Sequence, residues 1–379
     1  MKNKLILALP LAGIALVLSS CGDKTTSETT TTESNNNTIV YSNETYYASP
    51  NGVASANGTK ESPVDIRTGF NKLKAGDTLI LLDGTYNLPE RILIDKTQNG
   101  ASGHMITVKA DDNANVTLDF SQQIIAGTSR GVQINADYWH LYGFDVKGAG
   151  DNGFYIAGSY NIVENCSFHE NQDTGLQIGR ASSDLTNIKD WPHNNLIKNC
   201  TSYNNYDYQS YGENADGFAA KLTTGEGNVF DGCIAYRNSD DGWDLYAKSD
   251  SGQVGTTIIK NCVSFENGWL LDKTATPDDN DLNENGVTTI TTTAKMLAKE
   301  TNTSYATRDG DGIGFKLGGS VMEGNVIVEN CMAFNNRLHG FSDNSNPGVL
   351  SLRNCTAYNN SVSFRSEEHT SELQSLRHL

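Results

Sequence analysis

Positive charge is scarce in this sequence. It contains 28 lysine and arginine residues against 45 aspartate and glutamate residues, which gives a net charge of −17. The lack of a basic stripe argues against nucleic acid as a partner, but not against an anionic sugar, because a bound metal ion can reverse the local field. Hydrophobic residues make up only 37%, and helical periodicity is missing, whereas there are 36 glycines. This composition is typical of many short strands joined by tight turns.

The first 20 residues are interpreted as a bacterial lipoprotein signal peptide. Lys2 and Lys4 precede an apolar run over residues 5–18, which is too short to span a bilayer comfortably. The run ends in LSSC, which resembles a lipobox and predicts cleavage before Cys21 and acylation of that cysteine. The alternative is an ordinary signal peptide. Residues 21–37 then form a flexible tether, and we expect a secreted protein anchored by lipid to the cell surface or outer envelope.

The other end of the chain is interpreted as foreign sequence. Residues 365–379 resemble the translation of a sequencing-adapter oligonucleotide, and the internal repeat stops just before them. We therefore predict a β-helical domain over residues 38–364 that lacks its natural C-terminal coils. A genuine polar tail is the alternative.

Six segments repeat one pattern and predict the fold. In each, an aliphatic stretch leads to Asn or Gly, then Cys, and five residues later Asn; the segments are NIVENCSFHEN, NLIKNCTSYNN, NVFDGCIAYRN, TIIKNCVSFEN, VIVENCMAFNN and LSLRNCTAYNN. Most cysteines are 24 to 34 residues apart, which matches the coils of a parallel β-helix. The longer gap before Cys331 predicts an inserted loop near residues 268–308, with a short helix possible at AKMLAKE.

The repeated cysteines and asparagines are predicted to be structural. Residues in one column of a parallel stack lie about 4.8 Å apart with parallel side chains, which is poor geometry for disulfides. A ladder of buried thiols is therefore favoured over disulfide bridges, and the asparagines are predicted to hydrogen-bond along the stack. The amphipathic stretch ESPVDIRTGFNKLKA predicts a short helix that caps the open N-terminal edge.

A second repeated block places polar side chains on one outer face. Counting from its glycine, positions +1 and +3 are apolar and point inward, so position +2 points outward. Position +2 holds Asp244 and Lys316 in consecutive copies, while Asp216 and Asp241 precede the glycines of adjacent copies and Asp240 precedes Asp241. So many carboxylates repel one another unless a cation binds. Irregular oxygen ligation favours Ca²⁺ over Mg²⁺, and no Cys/His cluster suggests zinc.

Each of these residues also has a plainer interpretation. Asp-Gly pairs are common in turns, and Lys316 next to carboxylates could be a simple ion pair. Asp309 and Asp311 fit loop turns as well as they fit the site. It is the stacking of DGWD on ADG that favours a metal site over isolated turns.

At these residues the sequence resembles the pectate lyases of polysaccharide lyase family 9, over about residues 46–360. The strings that carry the resemblance are GENADGFAAKL at 212–222, NSDDGWDLY at 238–246 and GFKLGG at 314–319. It implies a right-handed parallel β-helix, a calcium site formed by Asp216, Asp240, Asp241 and Asp244, and Lys316 as the Brønsted base. The insertion near 268–308 and the missing coils depart from the family.

The resemblance implies an enzyme that cleaves polygalacturonate by β-elimination with Lys316 as base, and we expect a monomer. Lys221 is a candidate for gripping a substrate carboxylate, or else simply an exposed lysine. We expect activity to favour alkaline pH. The alternatives are a lyase for another uronic acid polymer, a glycosidase with two carboxylates, and a surface protein that binds polysaccharide without cleaving it.

Overall fold

The protein is a right-handed parallel β-helix, described in a computed structural model over residues 41–207, 212–268 and 310–366. These residues form 28 strands, numbered β1–β28 in chain order, in three parallel sheets. Each complete coil contributes one strand to each sheet. The predicted fold class is therefore confirmed.

Sheet 1 has ten strands and carries the aliphatic part of each repeat. Its strands are β1 Thr45–Ala48, β2 Thr78–Leu81, β5 Ile106–Ala110, β8 Trp139–Tyr142, β11 Ile162–Glu164, β14 Leu196–Lys198, β17 Asn228–Asp231, β20 Val254–Lys260, β23 Gly324–Glu329 and β26 Leu350–Arg353. Sheet 2 has nine strands and carries the second repeated block. Its strands are β4 Ile92–Ile94, β7 Val132–Ile134, β10 Phe154–Ile156, β13 Leu176–Ile178, β16 Phe218–Ala220, β19 Trp243–Asp244, β22 Phe315–Lys316, β25 His339–Ser342 and β28 Val362–Arg365.

Sheet 3 has nine strands and follows the repeated cysteines. Its strands are β3 Gly84–Asn87, β6 Val116–Asp119, β9 Asp145–Lys147, β12 Ser167–His169, β15 Thr201–Tyr203, β18 Ile234–Tyr236, β21 Val263–Phe265, β24 Met332–Phe334 and β27 Thr356–Tyr358. Sequence repetition thus becomes spatial stacking, because each strand pairs with its equivalent in the neighbouring coils.

The Asn-or-Gly position of the repeat is a turn that needs positive φ. Asn165, Asn199 and Asn261 lie at φ 53°, 51° and 56°, and Gly232 takes the same place at φ 71°. Asparagine tolerates the left-handed region better than other non-glycine residues, because its short polar side chain bonds locally. This turn connects sheet 1 to sheet 3 in each repeat.

The interior consists of columns of like residues. Phe218, Trp243, Phe315 and Phe341 stack along sheet 2 with successive ring centroids 5.0, 4.7 and 4.8 Å apart. The six repeated cysteines are free thiols, five of them buried and Cys355 half-buried, as a thiol ladder requires. Stacked large side chains fix the register of the coils, since a slip of one residue would turn each ring outward.

The predicted asparagine ladder is present. Successive Nδ2–Oδ1 hydrogen bonds join its members at 2.8–3.0 Å, in the order Asn171, Asn205, Asn238, Asn267, Asn336 and Asn360. Each side chain after Asn171 also accepts a bond from the backbone N–H of the preceding member, for example Asn238 N to Asn267 Oδ1 at 3.2 Å. The ladder therefore satisfies polar groups inside a turn that water does not reach.

Replacement of Asn267 by alanine is expected to lower the free energy of unfolding by about 3 kcal/mol, because it leaves several buried partners without hydrogen bonds. Asn267 Oδ1 accepts from Asn238, and its Nδ2 donates to Asn336 and to Ser264 Oγ. Urea unfolding measures the change, with exposed Asn115→Ala as the matched control. Equal stability of the two variants would contradict a structural ladder.

The N-terminal end is covered by the predicted helix. Helix α1 spans Ile66–Lys72, and Asp65 caps it by accepting a hydrogen bond from Thr68 N. Short 3₁₀ turns lie at Lys96–Gln98 and Ile188–Asp190. Within the described ranges, none of the helices is long and apolar enough to cross a membrane. Several predicted features lie outside the described residues: the signal peptide, Cys21, the AKMLAKE helix, the 268–308 insertion beyond Gly268, Asp309 and residues 367–379.

Candidate active site

The outer face of sheet 2 carries one continuous column of side chains. In register, Gln177 pairs with Ala219, Ala219 with Asp244, and Asp244 with Lys316. Position +2 of the repeat thus places Asp244 and Lys316 on neighbouring strands, as the spacing predicts. Both are largely buried, with 4% and 9% of their surface exposed. Neighbouring residues therefore cover most of these two side chains.

The position before each glycine forms a second column beside the first. Gly153 N bonds to Thr174 O, Gly175 N to Asp216 O, and Gly217 N to Asp241 O. The glycine itself is required where the chain enters the strand: a Cβ on Gly242 would lie 2.0 Å from Ser264 Oγ. Close packing at the glycine thus fixes the direction of the aspartate that precedes it.

Three aspartates converge at this place. Side-chain oxygens of Asp216, Asp240 and Asp241 all lie within 4.8 Å of one another, and the three residues are buried. Asp244 is at the edge of the group, and its Oδ1 accepts a hydrogen bond from Tyr246 N at 2.9 Å. The four residues predicted as metal ligands therefore occupy one region across strands β16 and β19.

Backbone amides hold one oxygen of each clustered carboxylate. Asp311 N donates to Asp240 Oδ1 at 2.6 Å, and Ile313 N donates to Asp241 Oδ1 at 2.7 Å. Asp216 Oδ1 receives a longer bond of 3.3 Å from Asp241 N. These bonds orient the carboxylates and stabilise their ionised form. The segment around Asp311 and Ile313 therefore belongs to the site.

Two lysines lie among the carboxylates. Lys221 Nζ is 2.7 Å from Asp216 Oδ2 and 3.4 Å from Asp244 Oδ2. Lys316 Nζ is 3.1 Å from both Asp241 Oδ2 and Asp311 Oδ2. Five carboxylates thus face two ammonium groups, so the site carries excess negative charge when all of them are ionised. The side chain of Lys221, 11% exposed, contacts carboxylates of the protein itself.

Burial raises the pKa of a carboxyl group and lowers that of a lysine, whereas neighbouring carboxylates raise both. Burial raises the pKa of Asp216 to about 6 against the opposing effect of Lys221. Burial, reinforced by Asp241 and Asp216, raises the pKa of Asp240 well above its ordinary value. Burial alone would lower the pKa of Lys316, but the surrounding carboxylates, Asp241 first, outweigh it and raise that pKa.

The donor set fits a hard divalent cation. The three clustered side chains offer carboxylate oxygens alone, at separations that irregular calcium ligation tolerates. Asp241 Oδ2 is buried and accepts no hydrogen bond from the described residues, so its one close polar contact there is the Lys316 ion pair. A cation among these oxygens would relieve the repulsion that raises the pKa of Asp240.

Two further contacts complete the site. Thr174 Oγ1 donates to Asp216 Oδ2 at 3.0 Å, and Asp311 pairs with Lys316. Thr174 precedes Gly175 just as Asp216 precedes Gly217 in the next coil. The repeat could therefore have indicated that Thr174 lies beside Asp216. Asp311 lies outside the repeated columns, and the sequence alone left it as either a turn or a site residue.

The sequence and the fold are similar to those of known proteins. The sequence model described as "Pel9A-like, right handed beta helix region" matches residues 46–374. The chain is 41% identical over 306 residues to pectate lyase L of Paenibacillus polymyxa (strain SC2), which covers 81% of this chain and 61% of that protein. It is 39% identical over 308 residues to pectate lyase L of Thermoclostridium stercorarium, with 81% and 22% covered.

A solved structure is also similar. The crystal structure of pectate lyase Pel9A aligns with a TM-score of 0.69 and 29% sequence identity, covering 87% of this chain and 72% of that one. The chain spans about three fifths of the length of the first of these curated relatives and about a fifth of the second.

Proposed function

This chain belongs to the Pel9A-like right-handed β-helix family, and we propose on that basis that it is a calcium-dependent pectate lyase. The substrate is polygalacturonate, cleaved by β-elimination to 4,5-unsaturated oligogalacturonates. The observation that carries the proposal is the pairing of Asp244 with Lys316 on neighbouring strands beside three clustered aspartates. The names of the relatives support the same substrate.

Asp216, Asp240, Asp241 and Asp244 would hold the calcium ion. Backbone amides and Thr174 preorganise their oxygens, so little rearrangement is needed on binding. A bound calcium ion would cancel the charge that raises the pKa of Lys316 and would polarise the uronate carboxylate next to the acidic C5 proton.

Lys316 is the proposed base. Its amine, when neutral, accepts the C5 proton of a galacturonate unit; the C5–H electron pair forms the C4–C5 double bond as the C4–O bond breaks. The leaving oxygen takes up a proton from water, and the Lys316 ammonium group then returns its proton to the solvent, so atoms and charge balance. The ion pairs of Lys316 with Asp241 and Asp311 restrict where Nζ can point.

Incubation with polygalacturonate is expected to increase ultraviolet absorbance, because the product contains a double bond conjugated with its carboxylate. The increase should vanish with a chelator and return when calcium is added. Hydrolysis would yield reducing ends without this absorbance, so a glycosidase is distinguished directly. Binding without either signal would identify a non-catalytic polysaccharide-binding protein. An increase in absorbance with another uronic acid polymer, but not with polygalacturonate, would change the assigned substrate.

A further inference from the structure

The outward column of sheet 2 continues well beyond the candidate active site. Tyr155 pairs with Gln177 on one side and with Gln133 on the other, and Gln177 pairs with Ala219. Gln133 therefore lies in the same column as Lys316, five strands away in the sheet. At about 4.8 Å per strand, the separation is about 24 Å along the helix axis.

Two arginines meet at this distant position. Arg91 Nη1 donates to Gln133 Oε1 at 3.1 Å, and Arg130 Nη1 donates to the same oxygen at 3.2 Å. The Arg130 guanidinium also lies over the Tyr155 ring, 3.5 Å from its centroid. Gln133 is itself held by a bond from its Nε2 to Asn135 Oδ1 at 2.9 Å. The neutral side chain of Gln133 thus joins the two guanidinium groups.

The charge of this pair is only partly compensated. Arg130 has a carboxylate partner, with its Nε 3.4 Å from Asp151 Oδ2. Within residues 41–207, 212–268 and 310–366, Arg91 forms no ion pair. Among those residues, no ion pair therefore neutralises the Arg91 guanidinium at the point where the two guanidinium groups share one amide oxygen. Such an arrangement attracts an anion, and planar guanidinium groups suit a carboxylate.

We infer that Arg91, with Arg130 beside it, forms a distal subsite that binds a carboxylate of the acidic polysaccharide. This inference rests on the proposed function, since it assumes that the polymer lies along the column that contains Lys316. A chain stretched over five strands would contact the site of elimination and the arginine pair together. A trisaccharide bound at Lys316 is too short to reach Gln133, so the subsite acts on long chains only.

The test compares Arg91→Gln, Arg91→Lys and wild type on polygalacturonate and on trigalacturonate. Arg91 is chosen and not Arg130, because Arg130 forms an ion pair with Asp151 and its replacement would disturb buried packing. Arg91→Gln should lower kcat/KM about tenfold on the polymer, equivalent to about 1.4 kcal/mol, and leave the trimer unchanged. Arg91→Lys should restore part of the loss. The matched control is Arg353→Gln, an arginine at the end of β26 in sheet 1.

Affinity gel electrophoresis in polygalacturonate with a chelator present separates this inference from the proposed function. Wild type should be retarded more than Arg91→Gln, whereas fully methyl-esterified pectin should retard both equally. If wild type shows no lyase activity but this difference appears, the subsite stands and the assigned reaction fails. If wild type is an active lyase and Arg91→Gln matches it on polymer and trimer and in the gel, the inference is overturned.

Discussion

Replacement of Lys316 by alanine is expected to lower the rate of β-elimination by about 10²–10⁴-fold, the usual contribution of a positioned general base. The increase in ultraviolet absorbance with polygalacturonate measures it. Lys248→Ala, which removes an exposed lysine, is the matched control and should keep full activity. Because alanine leaves Asp241 and Asp311 without their lysine, circular dichroism and the melting temperature must show that the variant is folded.

Lys316→Arg separates a base from an ion pair. Arginine keeps the positive charge and its carboxylate partners, but it does not lose its proton in proteins. If Lys316 is the base, Lys316→Arg should be as inactive as Lys316→Ala, although the arginine variant should be the more stable of the two. Substantial activity in the arginine variant would show that the residue serves only as a cation and would remove it from the mechanism.

The pH profile of the wild type provides a further check on the same residue. The carboxylates around Lys316 raise its pKa against the lowering effect of burial. The neutral amine is therefore scarce at neutral pH, and kcat/KM should rise with pH into the alkaline range. A profile with its maximum near pH 5 would contradict a lysine base.

The fold and the core of the site could be predicted because the repeat carries both. Strand alternation decides which residue points outward, and stacking in register decides which outward residues are neighbours. Asp244 and Lys316 are 72 positions apart in the sequence, yet their equal distance from a repeated glycine was enough to place them together. The asparagine ladder followed from the same logic.

What the repeat does not encode is the packing of the segments between strands. The sequence interpretation treated Lys221 as a group on the outer face that is free for substrate, whereas the structure pairs it with Asp216 and Asp244. The burial of Lys316 also depends on irregular connections between the strands. So does the hydrogen bond that the backbone N–H of Asp311 donates to Asp240. These contacts arise from tertiary packing, for which the sequence has no periodic signal.

Replacement of Asp240 by asparagine is expected to abolish activity and yet raise the melting temperature in the presence of a chelator. Asparagine is nearly isosteric and keeps an oxygen to accept from Asp311 N. Among the described residues no lysine or arginine forms an ion pair with Asp240, and burial, Asp241 and Asp216 together raise its pKa well above the ordinary value. Removing this carboxylate should stabilise the metal-free protein by roughly 1–3 kcal/mol, a shift of a few degrees.

The sign of the pH dependence follows from the raised pKa values. A carboxyl whose pKa is raised on folding stabilises the fold below its unfolded pKa, and this contribution is lost as pH rises through the folded pKa. For Asp216 the loss extends up to about pH 6. The site therefore destabilises the metal-free protein more at pH 8 than at pH 5. The proposed calcium site needs ionised carboxylates, so the rise in melting temperature caused by calcium should be larger at pH 8.

Differential scanning calorimetry of wild type and Asp240→Asn, with calcium and with chelator, tests both parts together. Calcium should raise the melting temperature of wild type at pH 8 and leave that of Asp240→Asn nearly unchanged. Asp250→Asn, which removes an exposed carboxylate, should behave as wild type throughout. An Asp240→Asn variant that melts lower than wild type in chelator and keeps the full calcium response would mean that Asp240 is a structural acceptor and not a ligand.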